Sequence, residues 1–184
     1  MATATADAIG LKIKKVFSAL DANNDGYVDW SDFQSIIDRY RSEYRLDNNN
    51  RKAMALHAAY AMLWQELARH ADLNGDQRLS EEEYVAATRS TVLDISRFDS
   101  VNGLTDATFD VMDADGDNQI SKDEYLRLAN NIWGISSPEA AQAFAALDTD
   151  GDGHISRPEF IRAAREFFLS PDPAAPGSLT FGRV

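Results

Sequence analysis

The sequence predicts an all-α protein built from four helix–loop–helix units, in two pairs packed into one compact body. Three observations predict it. A twelve-residue stretch rich in Asp and polar residues recurs four times, at 21–32, 72–83, 113–124 and 148–159. Apolar residues on either side of these stretches recur at three- and four-residue intervals, the period of a helix with one buried face. Three of the four stretches close on Ser-x-x-Glu, in which a serine and a glutamate cap a helix start reciprocally.

The elements follow in chain order. Ile13, Val16, Phe17 and Leu20 predict the helix entering the first loop, and Phe33, Ile36, Ile37 and Tyr40 the helix leaving it. The polar cluster Asp47–Asn50 breaks the long interval before the second loop, and a long helix then starts near Arg51. Ser80 and Glu83 cap the next helix. The stretch Ser100–Gly103 carries an Asn-Gly pair, which predicts a break in chain direction rather than one straight helix joining two lobes. Phe109 and Met112 precede the third loop, and Tyr125 and Leu128 follow it. Phe144 and Leu147 precede the fourth, and Phe160, Ala163 and Ala164 follow. Pro158 falls in the first turn of the last helix, where its missing N–H costs nothing. The expected division is an N-terminal pair over 1–95, a C-terminal pair over 96–170 and a Pro-rich tail over 171–184. Three prolines between Pro171 and Pro176 argue against a helix there. Leu179 and Phe181 are costly to leave in water and predict that the tail docks back.

The loops raise an electrostatic problem. The last, DTDGDGHISRPE, places oxygen-bearing side chains at its first, third, fifth, ninth and twelfth positions: Asp148, Asp150, Asp152, Ser156 and Glu159. Two unit charges about 4 Å apart interact by roughly 4 kcal/mol at an effective dielectric near 20, so such a cluster calls for a cation. A hard divalent ion of calcium's size takes six to eight oxygens, and alternate residues of a tight loop deliver them. The seventh residue, His154, contributes its backbone carbonyl. This is the EF-hand calcium pattern. The third loop repeats it with Asp113, Asp115, Asp117, Gln119 (carbonyl), Ser121 and Glu124. The first offers Asp21, Asn23, Asp25, Tyr27 (carbonyl), Asp29 and Asp32, and the second Asp72, Asn74, Asp76, Arg78 (carbonyl), Ser80 and Glu83. The eighth places, Val28, Leu79, Ile120 and Ile155, are all aliphatic and should face away from the ion.

Two loops depart from the pattern. Asp32 closes the first loop with one methylene less than Glu. A single coordinating oxygen there favours Mg2+, which prefers about six ligands. In the second loop Gln77 holds the turn place that Gly26 and Gly153 hold elsewhere, and a positive φ costs it on the order of 1 kcal/mol. Asn118 holds that place in the third loop, at smaller cost. The expected order of site strength is fourth, third, first, second.

Composition supports the same chemistry. Of 30 acidic residues, fifteen occupy ligand places, and four bound Ca2+ would bring the formal charge of −12 to −4. An acidic face excludes nucleic acid, whose phosphates demand basic residues. With no cysteine there is no disulfide framework or thiolate site. MATATADAIG lacks the apolar run of a secretory leader and the second-position glycine of a myristoylation signal, and no apolar run reaches membrane-spanning length. A monomeric cytoplasmic protein with no membrane partner is expected.

With these residues in view, the chain resembles the sarcoplasmic calcium-binding protein family, most of all its calerythrin-type bacterial members. The four loops, the long helix from about Arg51 and the ending SPDPAAPGSLTFG carry the resemblance. It implies a compact helical fold, a cytoplasmic calcium buffer or signal modulator, and one degenerate site, often the second. The alternative is a sensor that opens an apolar groove for a partner protein. Such grooves are Met-rich, whereas this chain has only Met54, Met62 and Met112 beyond its start, and a docked Leu179 and Phe181 would plug one. An enzyme is not expected. Calcium-triggered photoproteins are related folds with an internal luciferin cavity, and His57, Tyr60 and Trp64 share one helix face here. A stripe of that kind is ordinarily core packing, and neither His70 nor His154 has a catalytic partner in the sequence.

Overall fold

The computed structural model describes residues 2–92 and 98–182. Helices α1 (Ala2–Leu20) and α2 (Trp30–Glu43) flank the first loop, α3 (Arg51–Ala71) and α4 (Glu81–Val92) the second. Helices α5 (Phe98–Met112) and α6 (Lys122–Asn131) flank the third, α7 (Ser137–Leu147) and α8 (Arg157–Leu169) the fourth. Each loop adds a strand of two or three residues: β1 (Tyr27–Val28), β2 (Leu79–Ser80), β3 (Gln119–Ser121) and β4 (His154–Ser156). The chain divides into two units, one of Ile13–Leu104 and one of Met1–Lys12 with Thr105–Val184. No described helix is long and apolar enough to cross a membrane.

In the 13–104 unit β1 pairs antiparallel with β2, and Val28 lies opposite Leu79. Both are fully buried, so the eighth places knit the two loops from their apolar side. The core beneath them is aromatic: Phe33 lies 5.7 Å from both Tyr60 and Trp64 between ring centroids, and Phe17 lies 5.6 Å from Tyr84. The polar break before Arg51 ends in a cap, for the Asn50 side chain accepts from the N–H groups of Lys52 and Ala53. That satisfies two donors a helix start otherwise leaves open.

The 105–184 unit repeats the plan. Strands β3 and β4 pair antiparallel with Ile120 opposite Ile155, both fully buried. Phe109 packs on Phe160 at 6.0 Å and Tyr125 on Phe144 at 5.9 Å. The tail returns over α8. After Ser170 it turns at 172–175, where the Ala175 N–H bonds the Asp172 carbonyl at 3.2 Å, and then makes a 3-10 turn at Pro176–Leu179. A proline opening the turn is compatible with it, because the first N–H has no partner there. Gly177 sits so close to α8 that a Cβ would collide with the Ala163 carbonyl. Its N–H bonds the Glu166 carboxylate at 2.9 Å. Lys12, wholly buried, donates to the Ser170 carbonyl (2.8 Å) and to Ser178 Oγ (2.5 Å). Phe181 stands edge-on to Trp133 and Phe167 at 5.2 and 5.0 Å, leaving it and Leu179 half-buried.

One expectation is corrected. Ser100–Gly103 does not break the chain: α5 runs through it without interruption from Phe98 to Met112. Gly103 does not adopt the positive φ that makes Asn-Gly a turn. Glycine inside a helix costs about 1 kcal/mol, and the buried face of Ala107, Phe109, Val111 and Met112 outweighs it. The expected boundary between the two pairs, at 95 and 96, lies outside the described residues.

Candidate metal centres

The fourth loop shows how the backbone arranges the oxygens. Asp148 accepts through Oδ1 from the N–H groups of Gly151 (2.9 Å) and Asp152 (3.1 Å), and through Oδ2 from that of Gly153 (3.0 Å). Asp150 accepts from Asp152 (3.2 Å) and Asp152 from His154 (2.8 Å). Glu159 closes the loop, taking the N–H of Thr149 on Oε1 and that of Ser156 on Oε2, each at 2.9 Å. The loop therefore curls around its first carboxylate and is tied shut by its last.

The same scheme recurs. In the third loop Asp113 accepts from Gly116 and Asn118, and Glu124 from Ala114 and Ser121. In the second, Asp72 accepts from Gly75, Asp76 and Gln77, and Glu83 from Ser80. In the first, Asp21 accepts from Asp25 and Gly26. The carboxylates of Asp113, Asp115 and Asp117 have oxygens within 4.8 Å of one another, as do those of Asp148, Asp150 and Asp152. The first two loops carry asparagine in the third place. Asn23 and Asn74 accept from Asp25 and Asp76 at 2.8 and 2.9 Å, so the amide oxygen takes the part of the aspartate at one charge less.

The first loop's closing residue behaves differently from the simple expectation for a short side chain. Asp32 accepts from Ala22 (3.0 Å) and Asp29 (2.9 Å), the second- and ninth-place donors that Glu124 and Glu159 use in their own loops. The helix start keeps its place: Asp29 is the N-cap of α2 at the ninth position, where Ser121 and Ser156 cap α6 and α8. The cost is burial. Asp32 is 2% exposed, and desolvation pushes its carboxyl up despite those hydrogen bonds. For Glu159 burial acts in the same direction, but hydrogen bonds from Thr149 and Ser156 outweigh it and bring the group down to about 2. Bonds from Ser80 lower Glu83 in the same way.

Two features escaped sequence reading. Each loop has a second left-handed residue in its fourth place: Asn24, Gly75, Gly116 and Gly151, at φ between 58° and 81°. The signal was there, since those places hold only Gly or Asn, the residues that enter this region most readily. The sixth places are left-handed as expected, Gln77 at φ 62° and Asn118 at φ 64° included. The other feature is Arg78. It holds the seventh place of the second loop, while its side chain turns to the first, hydrogen-bonding Asp25 and stacking on Tyr27.

The stripe of His57, Tyr60 and Trp64 does not converge on one site. Tyr60 is sunk in the core against Phe33, and His57 is exposed, edge-on to Trp30 at 5.6 Å. His57 borders a pocket of about 280 Å³ that Tyr60 and Trp64 do not line.

The donor set in each loop is all oxygen and mostly anionic, held curled by backbone N–H groups. That chemistry fits a hard divalent cation and not a soft one. A family model described as an EF-hand domain pair matches residues 11–89 and 102–165. The sarcoplasmic calcium-binding proteins I, III, and IV of Branchiostoma lanceolatum are 30% identical over 127 residues, which is 65% of this chain and 68% of theirs. The chain belongs to the EF-hand family of sarcoplasmic calcium-binding proteins. Among its other relatives in that family, calerythrin of Saccharopolyspora erythraea is 29% identical over 136 residues, covering 72% of this chain and 76% of its own. A solved structure of a Streptomyces coelicolor calcium-binding protein, described as the basis for prokaryotic calcium-mediated regulation, is 31% identical with a TM-score of 0.77. It covers 89% of this chain and 99% of its own.

Proposed function

We propose that this EF-hand protein binds Ca2+ through all four loops and serves as a cytoplasmic calcium buffer, working as a monomer. The observation that carries the reading is the shared hydrogen-bond scheme, which turns each loop's first carboxylate inward and ties its last across the loop mouth. Metal ligands in the first loop are Asp21, Asn23, Asp25, Asp29 and Asp32 with the Tyr27 carbonyl. The corresponding residues from Asp72 to Glu83, Asp113 to Glu124 and Asp148 to Glu159 hold the others. The first loop takes Mg2+ at rest, because Asp32 offers a shorter reach than Glu and sits buried at the mouth.

The docked tail favours a buffer over a sensor. Gly177, Ser178 and Phe181 pack on α8, Lys12 and Trp133, apolar and polar partners that a target helix would otherwise need. A second reading has its own support: the Streptomyces coelicolor relative is described in terms of calcium-mediated regulation. For that reading Ca2+ would release the tail. The non-enzymatic reading is supported by relatives described as calcium-binding proteins, and the pocket that His57 borders is not lined by Tyr60 or Trp64.

Calorimetric titration of the full chain with Ca2+, with and without Mg2+, tests the sites, and four Ca2+ per chain is the expected count. Binding of a hydrophobic-surface dye to the apo, Mg2+ and Ca2+ forms tests the role. A buffer shows a fall with Ca2+, and truncation after Ser170 raises it. A clear rise in the intact chain would establish the sensor.

A further inference from the structure

The second loop lends a side chain to the first. Arg78 occupies a seventh place, where the backbone carbonyl and not the side chain is the ligand, so its guanidinium is available for other work. That group lies 4.2 Å from the centre of the Tyr27 ring. Its Nη2 donates to Asp25 Oδ2, and its Nε lies 3.8 Å from Asp29 Oδ2. Asp25 and Asp29 hold the fifth and ninth places of the first loop. The other oxygen of each is already engaged: Asp25 Oδ1 accepts from the Tyr27 N–H at 3.0 Å, and Asp29 Oδ1 from the Ser31 N–H at 2.7 Å. The guanidinium thus hydrogen-bonds the remaining oxygen of Asp25 and stands within ion-pair reach of that of Asp29, two carboxylates that a bound cation would also use.

The other pair of loops carries a guanidinium as well, and the contrast is informative. Arg157 bonds Asp110 (2.5 Å), Asp106 (3.2 Å) and Asn118 (3.3 Å), and lies 4.2 Å from the Phe109 ring. None of those residues holds a ligand place. Arg157 buckles its loops together from outside the sites, whereas Arg78 acts on ligands. An exposed ion pair alone would have little effect. Here one fixed cation faces a loop with four carboxylates, two of them, Asp21 and Asp32, buried, and their mutual repulsion is what a cation relieves.

We propose that Arg78 is a built-in counter-cation of the first loop: it competes with the incoming divalent ion for Asp25 and Asp29, lowers that site's affinity and steadies its empty form. The inference rests on the reading of the first loop as a cation site. It also links the two loops. Cation uptake in the first must loosen Arg78, which is part of the second loop's own ligand run, and such a coupling acts equally in both directions.

The test is a 15N-resolved NMR titration of the full chain with Mg2+, and with chelator-buffered Ca2+, following the Gly26 amide, which bonds Asp21 Oδ2 at 3.0 Å and so reports the first loop alone. Arg78→Gln keeps the ligand carbonyl and removes the charge. It should tighten the first site about three- to tenfold, the range expected for removing one partly screened charge beside a divalent ion. The Gly153 amide should titrate unchanged, and the melting midpoint in chelator should fall. Arg78→Lys should stay within about twofold of wild type. A first-site affinity unchanged or weakened in Arg78→Gln, with Gly153 normal, overturns the proposal while leaving the cation site intact. If the wild-type Gly26 amide responds to neither ion, the first loop of the native chain holds no cation under these conditions, and Arg78→Gln decides why. A response that then appears in Arg78→Gln supports the counter-cation, and silence in both chains overturns it.

Discussion

The pair of loops in the 105–184 unit and the pair in the 13–104 unit share a backbone and differ in where they put charge. Both join through antiparallel strands with buried aliphatic eighth places face to face. Both are also latched by an ion pair between the entering helix of the first hand and the tenth place of the second. In the 13–104 unit Lys14 meets Glu81 at 2.5 Å. In the other, Asp106 and Asp110 meet Arg157 at 3.2 and 2.5 Å. Lys14 and Asp106 each stand seven residues before the first ligand of their loop, so the latch is the same device with its polarity reversed. The ligand places are nearly interchangeable between the pairs, while the latches are not. A hand paired with the wrong partner would set Lys14 against Arg157, or Asp106 against Glu81. Like charges so placed are unfavourable, and the latches thus distinguish right from wrong partners outside the sites themselves.

The largest effect expected from breaking the comparison is at the closing carboxylates. Glu159 is held by four hydrogen bonds from Thr149 and Ser156, with three aspartates converging beside it. Glu159→Gln should weaken the fourth site on the order of 100-fold, since ligand charge is what tunes these loops across decades. Asp32→Asn should cost the first site less, about tenfold, because that loop already carries a neutral third ligand and a neighbouring guanidinium. Calorimetric titration of both variants with Ca2+ checks the ranking. Equal losses would mean that the charge difference between the pairs does not reach the sites.

Much of this was legible in the sequence, for physical reasons that are specific. The proposed ligand places stand out in the sequence because oxygen donors must alternate around a small cation, and the buried eighth places because an apolar residue in an acidic loop has no other reason to be there. The polar break at Asp47–Asn50 before α3 was readable from local chemistry, and the structure adds that Asn50 caps the helix. The Ser100–Gly103 stretch misled because Asn-Gly signals a turn only where φ turns positive, and the buried face of α5 holds it helical. Arg78 could not be placed because its partners lie 49 to 53 residues away, a distance that only the β1–β2 pairing closes. Nor could the polarity reversal of the latches be seen before the hands were paired. Local chemistry is written in local sequence, whereas charge relations between loops are written in the fold.

A smaller effect separates the two pairs through their turn places. Gln77 and Asn118 both stand at positive φ, and both N–H groups bond the first aspartate of their loop. Asparagine tolerates that conformation better than glutamine. Gln77→Gly should therefore stabilise the chelator-treated protein by about 0.5–1 kcal/mol, the strain relieved exceeding the glycine's extra freedom in the unfolded chain. Asn118→Gly should change it by less than about 0.5 kcal/mol. Urea melts of the two variants decide it, and an equal gain at both positions would remove turn strain as a difference between the pairs.

The smallest effect is the most diagnostic for how the hands find each other. Lys14 and Glu81 are about half exposed, so their pair contributes roughly 0.2–1 kcal/mol. Glu81→Arg alone places a like charge against Lys14 and should cost about 0.5–1 kcal/mol, and Lys14→Asp alone, set against Glu81, should cost a similar amount. Together the two changes give the 13–104 unit the polarity that Asp106 and Arg157 have in the other unit. The double variant should recover most of the loss, with a coupling of about 0.5–1 kcal/mol in a double-mutant cycle. Yet it also removes the distinction between the latches, so the acidic member of either latch would then suit the arginine of the other. If partner choice depends on polarity, the double variant regains stability but refolds with an added slow phase, as wrongly paired hands separate and try again. Recovery of stability with wild-type refolding kinetics would instead assign partner choice to the buried eighth places and the helices around them.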